Sequence, residues 1–377
     1  MGPFIRNDFD TKKLMRNLVI SLIPIIVFAI YKNGIKPFFQ GEFGFIKAVY
    51  PIIFILIGMS TTFFTELLYC KIIKKEKFKK DFYGIFPGLF LALISPLNTP
   101  IWVLVLGCII ASLSKNIVGG LGQNKLNPTL VGYIVVLIFT NNFFLSSNID
   151  YQEINAASSL TPLVNFTAIS DIGSYEQLVK PYGNLLNFFL GNIPGFLAET
   201  GCLLCILAFL FLTFTKSIKW RITLSYILTV FVITFGIGRL LDQGIYYPLF
   251  HIMSGGLFFG TVFIATDPVT SCVTPIGQIL QGIFLGVLTV AFRFIGIESL
   301  GLSILIINIF VFLLDKIGAA SRFDFMKLLP TIVITCIIVC GTIIWAASTK
   351  RLQNNDETKL TSINQNSIQL DLNKLII

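Results

Sequence analysis

The sequence predicts an all-α, polytopic membrane protein. Of its 377 residues, 55% are hydrophobic and only 12% charged, about half the charged share of an ordinary soluble domain. Apolar runs recur along the whole chain and approach the roughly 20 residues a helix needs to cross a bilayer. Lysine and arginine collect in a few short stretches between those runs, the pattern of cytoplasmic loops. These observations exclude a soluble globule, and the net charge of +9 reads as membrane orientation rather than nucleic-acid binding. Residues 1–10 are polar and no small-residue cleavage site follows the first apolar run, so no signal peptide is expected.

Taken in order, a basic lead-in at residues 8–16 precedes a first span at 18–31, and a second at 49–69 carries Glu66 near its far end. KIIKKEKFKK, residues 71–80, holds six lysines in ten positions and fixes that loop as cytoplasmic. Spans three and four, 82–94 and 101–113, flank SPLNTP at 95–100, whose two prolines imply a tight external turn or a broken helix. KNIVGGLGQNKLNPTLVG, 115–132, leads into span five at 128–139. It is not a nucleotide-binding loop of the Walker type, because Leu126 rather than a hydroxyl residue follows Lys125. Residues 141–192 set Asp150, Glu153, Asp171 and Glu176 against Lys180 alone and so belong outside.

Span six, 193–215, places Glu199 in its outer third and returns to the basic Lys216, Lys219 and Arg221. Span seven covers 223–237. Span eight lies in SGGLFFGTVFIATDPVTSCVTPIG, 254–277, an apolar helix with glycines that runs into Thr266-Asp267-Pro268. Backbone that unwinds at membrane depth must be satisfied by protein or by a water-filled cavity, and such breaks build ligand sites; a plain loop between two helices is the alternative. Spans nine and ten, 279–292 and 302–314, precede a basic segment at 315–327. An additional C-terminal span at 328–347 and a polar tail at 348–377, expected to be disordered, complete the chain.

GLFLALISP at 88–96 and GTVFIATDP at 260–268 share their Gly-to-Pro spacing, and each is followed by Thr-Pro. The first ten spans therefore fit a five-plus-five inverted repeat. Cys202 and Cys205 form a CxxC inside an apolar helix with no second pair nearby, which reads as packing rather than as a metal site or disulfide. His251 is expected to pack or to bond backbone, and Arg293 to extend its charge toward the membrane surface.

Three segments resemble the D subunit of the Rnf ion-translocating electron-transfer complex and, less closely, the B subunit of the sodium-pumping NADH:quinone reductase. They are GGLGQNKLNP at 119–128, HIMSGGLFFGTVFIATDPVTSCVTPIG at 251–277, and FLAETG at 196–201. The resemblance covers about residues 7–317. It implies that residues 1–317 form a flavin-binding membrane domain within a multi-subunit complex of a bacterial inner (cytoplasmic) membrane. That complex would pass electrons between ferredoxin and NAD while moving Na⁺ or H⁺. The partners implied are the other Rnf subunits, which carry iron–sulfur and flavin groups, together with a flavin transferase and the lipid bilayer.

The family carries FMN joined by a phosphoester to a threonine in a D-x-x-[ST]-G-A-T pattern. Its counterpart here is NAASSLT, 155–161, which makes Thr161 the acceptor. Asn155, Ser159 and Leu160 depart from that pattern. The following Pro162 favours extended backbone at Thr161 and so helps to present its hydroxyl. Family members also hold riboflavin, for which Asn124, Asn127, Thr266 and Asp267 are the candidates; capping of the following segment is the other role open to Asp267. A carboxylate at the centre of a membrane span costs roughly 2.5–3.5 kcal/mol, so Glu199 and then Glu66 are expected on the ion pathway, a buried structural acid being the alternative. The chain would be a subunit of an oxidoreductase, not catalytic alone, with no metal of its own. Two rival readings stand: a solute channel or transporter of urea-transporter-like architecture, and a redox-dead scaffold subunit.

Overall fold

The computed structural model describes residues 11–41, 44–75, 82–117, 124–140, 175–193, 195–198, 201–240, 243–295 and 300–319, and among these it contains helices and no strand. Thr161, Glu199, the additional span, the tail and the second half of the lysine-rich loop lie outside the described residues.

The first helix, α1 (Thr11–Ile30), continues through a π turn at Tyr31–Ile35 into α2 (Lys36–Phe39). Together they give 28 helical residues from Lys12 to Phe39, more than the apolar run alone predicted. Lys12, Lys13 and Arg16 extend the helix because they are exposed on its first turns and cost nothing where the helix meets water. Then follow α3 (Phe45–Leu68), a 3₁₀ turn at Phe82–Ile85 entering α4 (Phe86–Ile94), α5 (Ile101–Ile117) and α6 (Pro128–Phe139). Two short helices, α7 (Tyr175–Leu178) and α8 (Leu185–Leu190), precede α9 (Cys202–Phe214) and α10 (Trp220–Leu240). Next come α11 (Tyr246–Met253) and α12 (Leu257–Phe259), the latter running on as a π turn at Gly260–Ile264, and finally α13 (Pro275–Ile295) and α14 (Leu300–Ala319).

Among the described residues five helices are long and apolar enough to cross a membrane, and α11 with the α12 segment makes a sixth crossing bent by 59°. Helices α5, α6 and α9 are shorter apolar segments. Exposed side chains on these helices include Val27, Phe64, Phe214, Val232 and Phe312. Such a girdle of apolar groups has no aqueous rationale and suits lipid. The protein is thus an all-α, multi-pass membrane protein.

Packing repeats along the chain. Helix α3 lies against α4 and α5, and α5 against α6; in the second half α10 lies against α11 and α13, and α13 against α14. Close approach in both halves depends on small residues, as expected where helices associate without a hydrophobic drive. A Cβ on Gly88 would stand 2.1 Å from the Gly58 carbonyl oxygen, and one on Gly282 2.7 Å from that of Ile222. Tyr226 and Thr289 share a buried hydrogen bond across the α10–α13 contact.

The structure departs from the predicted spans at two further places. Helix α9 begins at Cys202, with Gly201 as its N-cap, so the start of span six at residue 193 is nine residues too early. The described residues before it are buried but irregular, and Ala198 N–H donates to Leu93 C=O at 3.1 Å. Span eight begins earlier than predicted, at Tyr246, and breaks at Gly255 and Gly256, whose φ values of 71° and 64° lie in the left-handed region glycine enters freely. Arg293 does not reach for the membrane surface. It is 3% exposed, and its guanidinium donates to the carbonyls of His251 and Ser254 at the end of α11, where a helix C-terminus favours a cation.

Candidate functional site

The segment after the π turn, residues 265–274, leaves helical geometry, and its backbone groups are met by side chains from neighbouring helices. Cys272 N–H donates to Gln281 Oε1 at 2.8 Å. Asp315, on α14, accepts from Val273 N–H at 2.9 Å and from the N–H and hydroxyl of Thr274, each at 2.8 Å. Lys219 Nζ donates to the carbonyls of Ser271 and Pro268 at 3.0 and 3.3 Å and to the Ser271 hydroxyl at 2.8 Å. Gln278 Nε2 donates to Val273 C=O at 3.0 Å. This is how an irregular segment persists beside membrane helices, where each unmet polar group is costly.

Within the segment, the Thr266 hydroxyl turns back to Val262 C=O. Asp267 Oδ2 accepts from the Thr270 hydroxyl at 2.8 Å, a bond within the turn that follows it. Burial pushes the Asp267 carboxyl above its ordinary range, against hydrogen bonds from Thr270 and Val269 and the charge of Lys219. Lys219 is shifted down by burial, opposed by the charges of Asp267 and Asp315. The Cys272 thiol is pushed up to about 12 by burial, with Asp315 adding to the effect.

The Asn-Pro motif starts α6. Asn127 caps it, Oδ1 accepting from Thr129 N–H at 3.0 Å, and Pro128 occupies the first turn, where its missing N–H is no loss. Asn308 of α14 ties this start to the broken span. With its amide oriented to suit its neighbours, it accepts from Asn127 N–H and donates to Thr270 C=O, each at 3.2 Å.

Between these two motifs lies a cavity of about 440 Å³. Asn124, Asn127, Thr266 and Asp267, the four residues expected to form a ligand site, all line it. The remaining wall is mostly apolar and includes Phe86, Phe90 and Phe263, with the beginning of α1 closing one side. Phe90 and Phe263 meet with ring centroids 6.3 Å apart. Asn124 Nδ2 reaches Leu126 C=O at 3.3 Å, while its buried Oδ1 has no hydrogen-bond partner among the described residues. Lys115, from the last turn of α5, also lines the cavity and pairs with Glu66 of α3.

The chain matches the model of the NQR2, RnfD, RnfE family over residues 1–324. It belongs to that family. The resemblance read from the three motifs agrees with the family's individual members. The D subunit of a proton-translocating ferredoxin:NAD(+) oxidoreductase complex in Clostridium ljungdahlii is 30% identical over 332 residues, covering 85% of this chain and 94% of that protein. Its counterpart in a Na(+)-translocating ferredoxin:NAD(+) oxidoreductase complex of Acetobacterium woodii is 28% identical, covering 84% of this chain and 91% of its own length. The D subunit of an ion-translocating oxidoreductase complex in Buchnera aphidicola is 29% identical, with 86% and 98% covered.

For this NQR2, RnfD, RnfE family member, sequence reasoning missed Lys115, Lys219, Asn308 and Asp315. Asn308 and Asp315 are single polar residues on an apolar helix, and the expense of placing them there was the available signal. Cys202 and Cys205 are buried in α9 and form no disulfide, and no cluster with metal-binding composition occurs among the described residues. His251 is buried, with its ring 4.8 Å from that of Tyr247 and stacked on Phe294.

Proposed function

We propose that this chain is the flavin-carrying membrane subunit of an Rnf-type complex that couples electron transfer between ferredoxin and NAD to translocation of Na⁺ or H⁺. The observation that carries the reading is the cavity between the two family motifs. Its volume falls within the range of about 300–1,000 Å³ usual for ligand pockets, and its aromatic wall suits a flat ring system. Asn124 Oδ1, buried without a described partner, is an acceptor available to a ring N–H such as riboflavin carries. Asn124 and Asn127 would hold the polar edge of riboflavin, Phe86, Phe90 and Phe263 would exclude water from its ring, and Asp267 would hold the segment that closes the cavity. When bound, the flavin supplies one- and two-electron chemistry that no side chain offers.

The second flavin in this proposal is FMN on Thr161, attached by a flavin transferase on the outer face of a bacterial inner membrane. Pro162 and the acid-rich character of residues 141–192 support an extended, external acceptor. Glu199 and Glu66 are the carboxylates proposed for the ion route, the latter with Lys115 as its counter-ion. Iron–sulfur and flavin subunits of the same complex would deliver and remove electrons.

The test is expression with the cognate transferase and its partner subunits. A flavin band should survive denaturing electrophoresis, vanish in Thr161→Ala and persist in part in Thr161→Ser. Riboflavin should be released from the same preparation by denaturation alone. Colourless wild-type protein would instead support the channel or scaffold reading, and a band that persists in Thr161→Ala would move the acceptor elsewhere.

A further inference from the structure

Lys115 is the one cationic side chain on the wall of the cavity among the described residues. It is 2% exposed, and its ammonium stands 3.0 Å from both carboxylate oxygens of Glu66. Glu66 itself does not line the cavity; it grips the ammonium from outside it. Space for that grip is built in at Gly84, where a Cβ would fall 1.8 Å from Glu66 Oε2. The two groups come from α3 and α5, which pack directly against each other, and apolar side chains would serve that contact with no desolvation cost. Glu66 stays partly exposed, its side chain at 19%, so the buried charge of the pair is the ammonium turned to the cavity, and it asks for a ligand whose charge changes.

We propose that Lys115 is the charge partner of the ring bound in this cavity and that Glu66 is its positioning residue, setting how much positive charge the ligand feels. The inference rests on the riboflavin reading of the site. A reduced isoalloxazine is richer in electrons than the oxidised ring. A fixed cation in a low-dielectric wall favours the reduced form, and an adjacent carboxylate subtracts from that effect. The pair lets the fold hold a buried cation at the site while keeping the net charge of the two side chains at zero before reduction.

The two halves of the pair make opposite predictions, which a purely structural salt bridge does not. Lys115→Met removes the cation and leaves the carboxylate, so the riboflavin potential should fall. Glu66→Gln frees the cation from its counter-charge, so the potential should rise. Each shift should reach about tenfold in the ratio of reduced to oxidised flavin at fixed potential, which is 59 mV for a one-electron couple. The double variant should return toward wild type, and Lys115→Arg should stay near it.

The measurement is a spectroelectrochemical titration of the purified complex, with riboflavin content determined alongside. Shifts of the same sign in both single variants, or no shift with riboflavin retained, would overturn the inference. If Lys115→Met fails to assemble, the rise in Glu66→Gln and the neutrality of Lys115→Arg decide it. A wild-type complex without dissociable riboflavin would sink the underlying reading of the cavity as well, and that outcome is recognisable before any variant is made.

Discussion

Asp267 shows how one residue serves both the fold and the site. Its carboxylate takes the Thr270 hydroxyl at 2.8 Å while lining the cavity. Burial raises its pKa from the ordinary 3.8, and the pull of Thr270, Lys219 and Val269 does not cancel that rise. The folded chain thus holds this proton more tightly than the unfolded chain does. The resulting stabilisation is complete below the unfolded value and is lost as pH rises through the folded one. Asp267→Asn, which cannot ionise, should remove that dependence. Thermal midpoints of wild type and variant in one detergent should converge or cross over a pH series that starts below the ordinary 3.8 and rises above it, with the variant gaining ground as pH rises. A gap that stays constant over this window would mean the raised pKa has no part in stability.

At the scale of elements, close backbone approach decides which spans pair. On α4, a Cβ at Gly88 would meet the Gly58 carbonyl oxygen at 2.1 Å and Thr62 Oγ1 at 2.5 Å, and the carbonyl cannot step aside. Gly88→Ala should therefore destabilise by about 1–3 kcal/mol, the usual cost of overpacking. Gly236 on α10 has nothing within 4 Å of the same position, so Gly236→Ala should be neutral or stabilise by about 0.5–1 kcal/mol. Thermal unfolding of the two variants checks the pair, and equal losses would show that helix propensity rather than contact governs. Much of this level was legible beforehand. Helix α6 has the predicted bounds, Pro128–Phe139, because Asn-Pro marks its start unambiguously. The beginning of α9 was not legible, since Ile193, Phe196, Leu197 and Ala198 are as buried as any helix residue and hydropathy reports burial, not conformation. The irregularity was signalled only by Gly191, Pro194 and Gly195. The candidate site was half legible: the motifs led to Asn124, Asn127, Thr266 and Asp267, whereas Asn308, which ties the two motifs together, and Asp315, which holds Val273 and Thr274, act from distant positions in sequence.

For the whole molecule the question is which side of the membrane the cavity faces. The beginning of α1, the end of α5, the Ser217–Ile218 turn and the broken span all contribute to its lining. Basic residues lie near each of these ends: Lys12, Lys13 and Arg16; Lys115 and Lys125; Lys216, Lys219 and Arg221; Lys316. The positive-inside rule assigns such ends to the cytoplasm. The Leu97–Pro100 turn borders a separate cavity of about 340 Å³, where the buried Thr99 hydroxyl oxygen has no partner among the described residues. It belongs to the opposite end, with α7 and α8. The two cavities thus lie at opposite ends of α4, whose Phe86 lines the first and whose following turn, Leu97–Pro100, lines the second. In a background with the native cysteines replaced, Lys216→Cys and Asn184→Cys, both exposed positions, should label differently with an impermeant thiol reagent. On intact cells only Asn184→Cys should react, and on inverted vesicles only Lys216→Cys. The reverse pattern would turn the cavity outward, part it from any cytoplasmic electron donor, and leave Thr161 on the side where an external transferase cannot reach it.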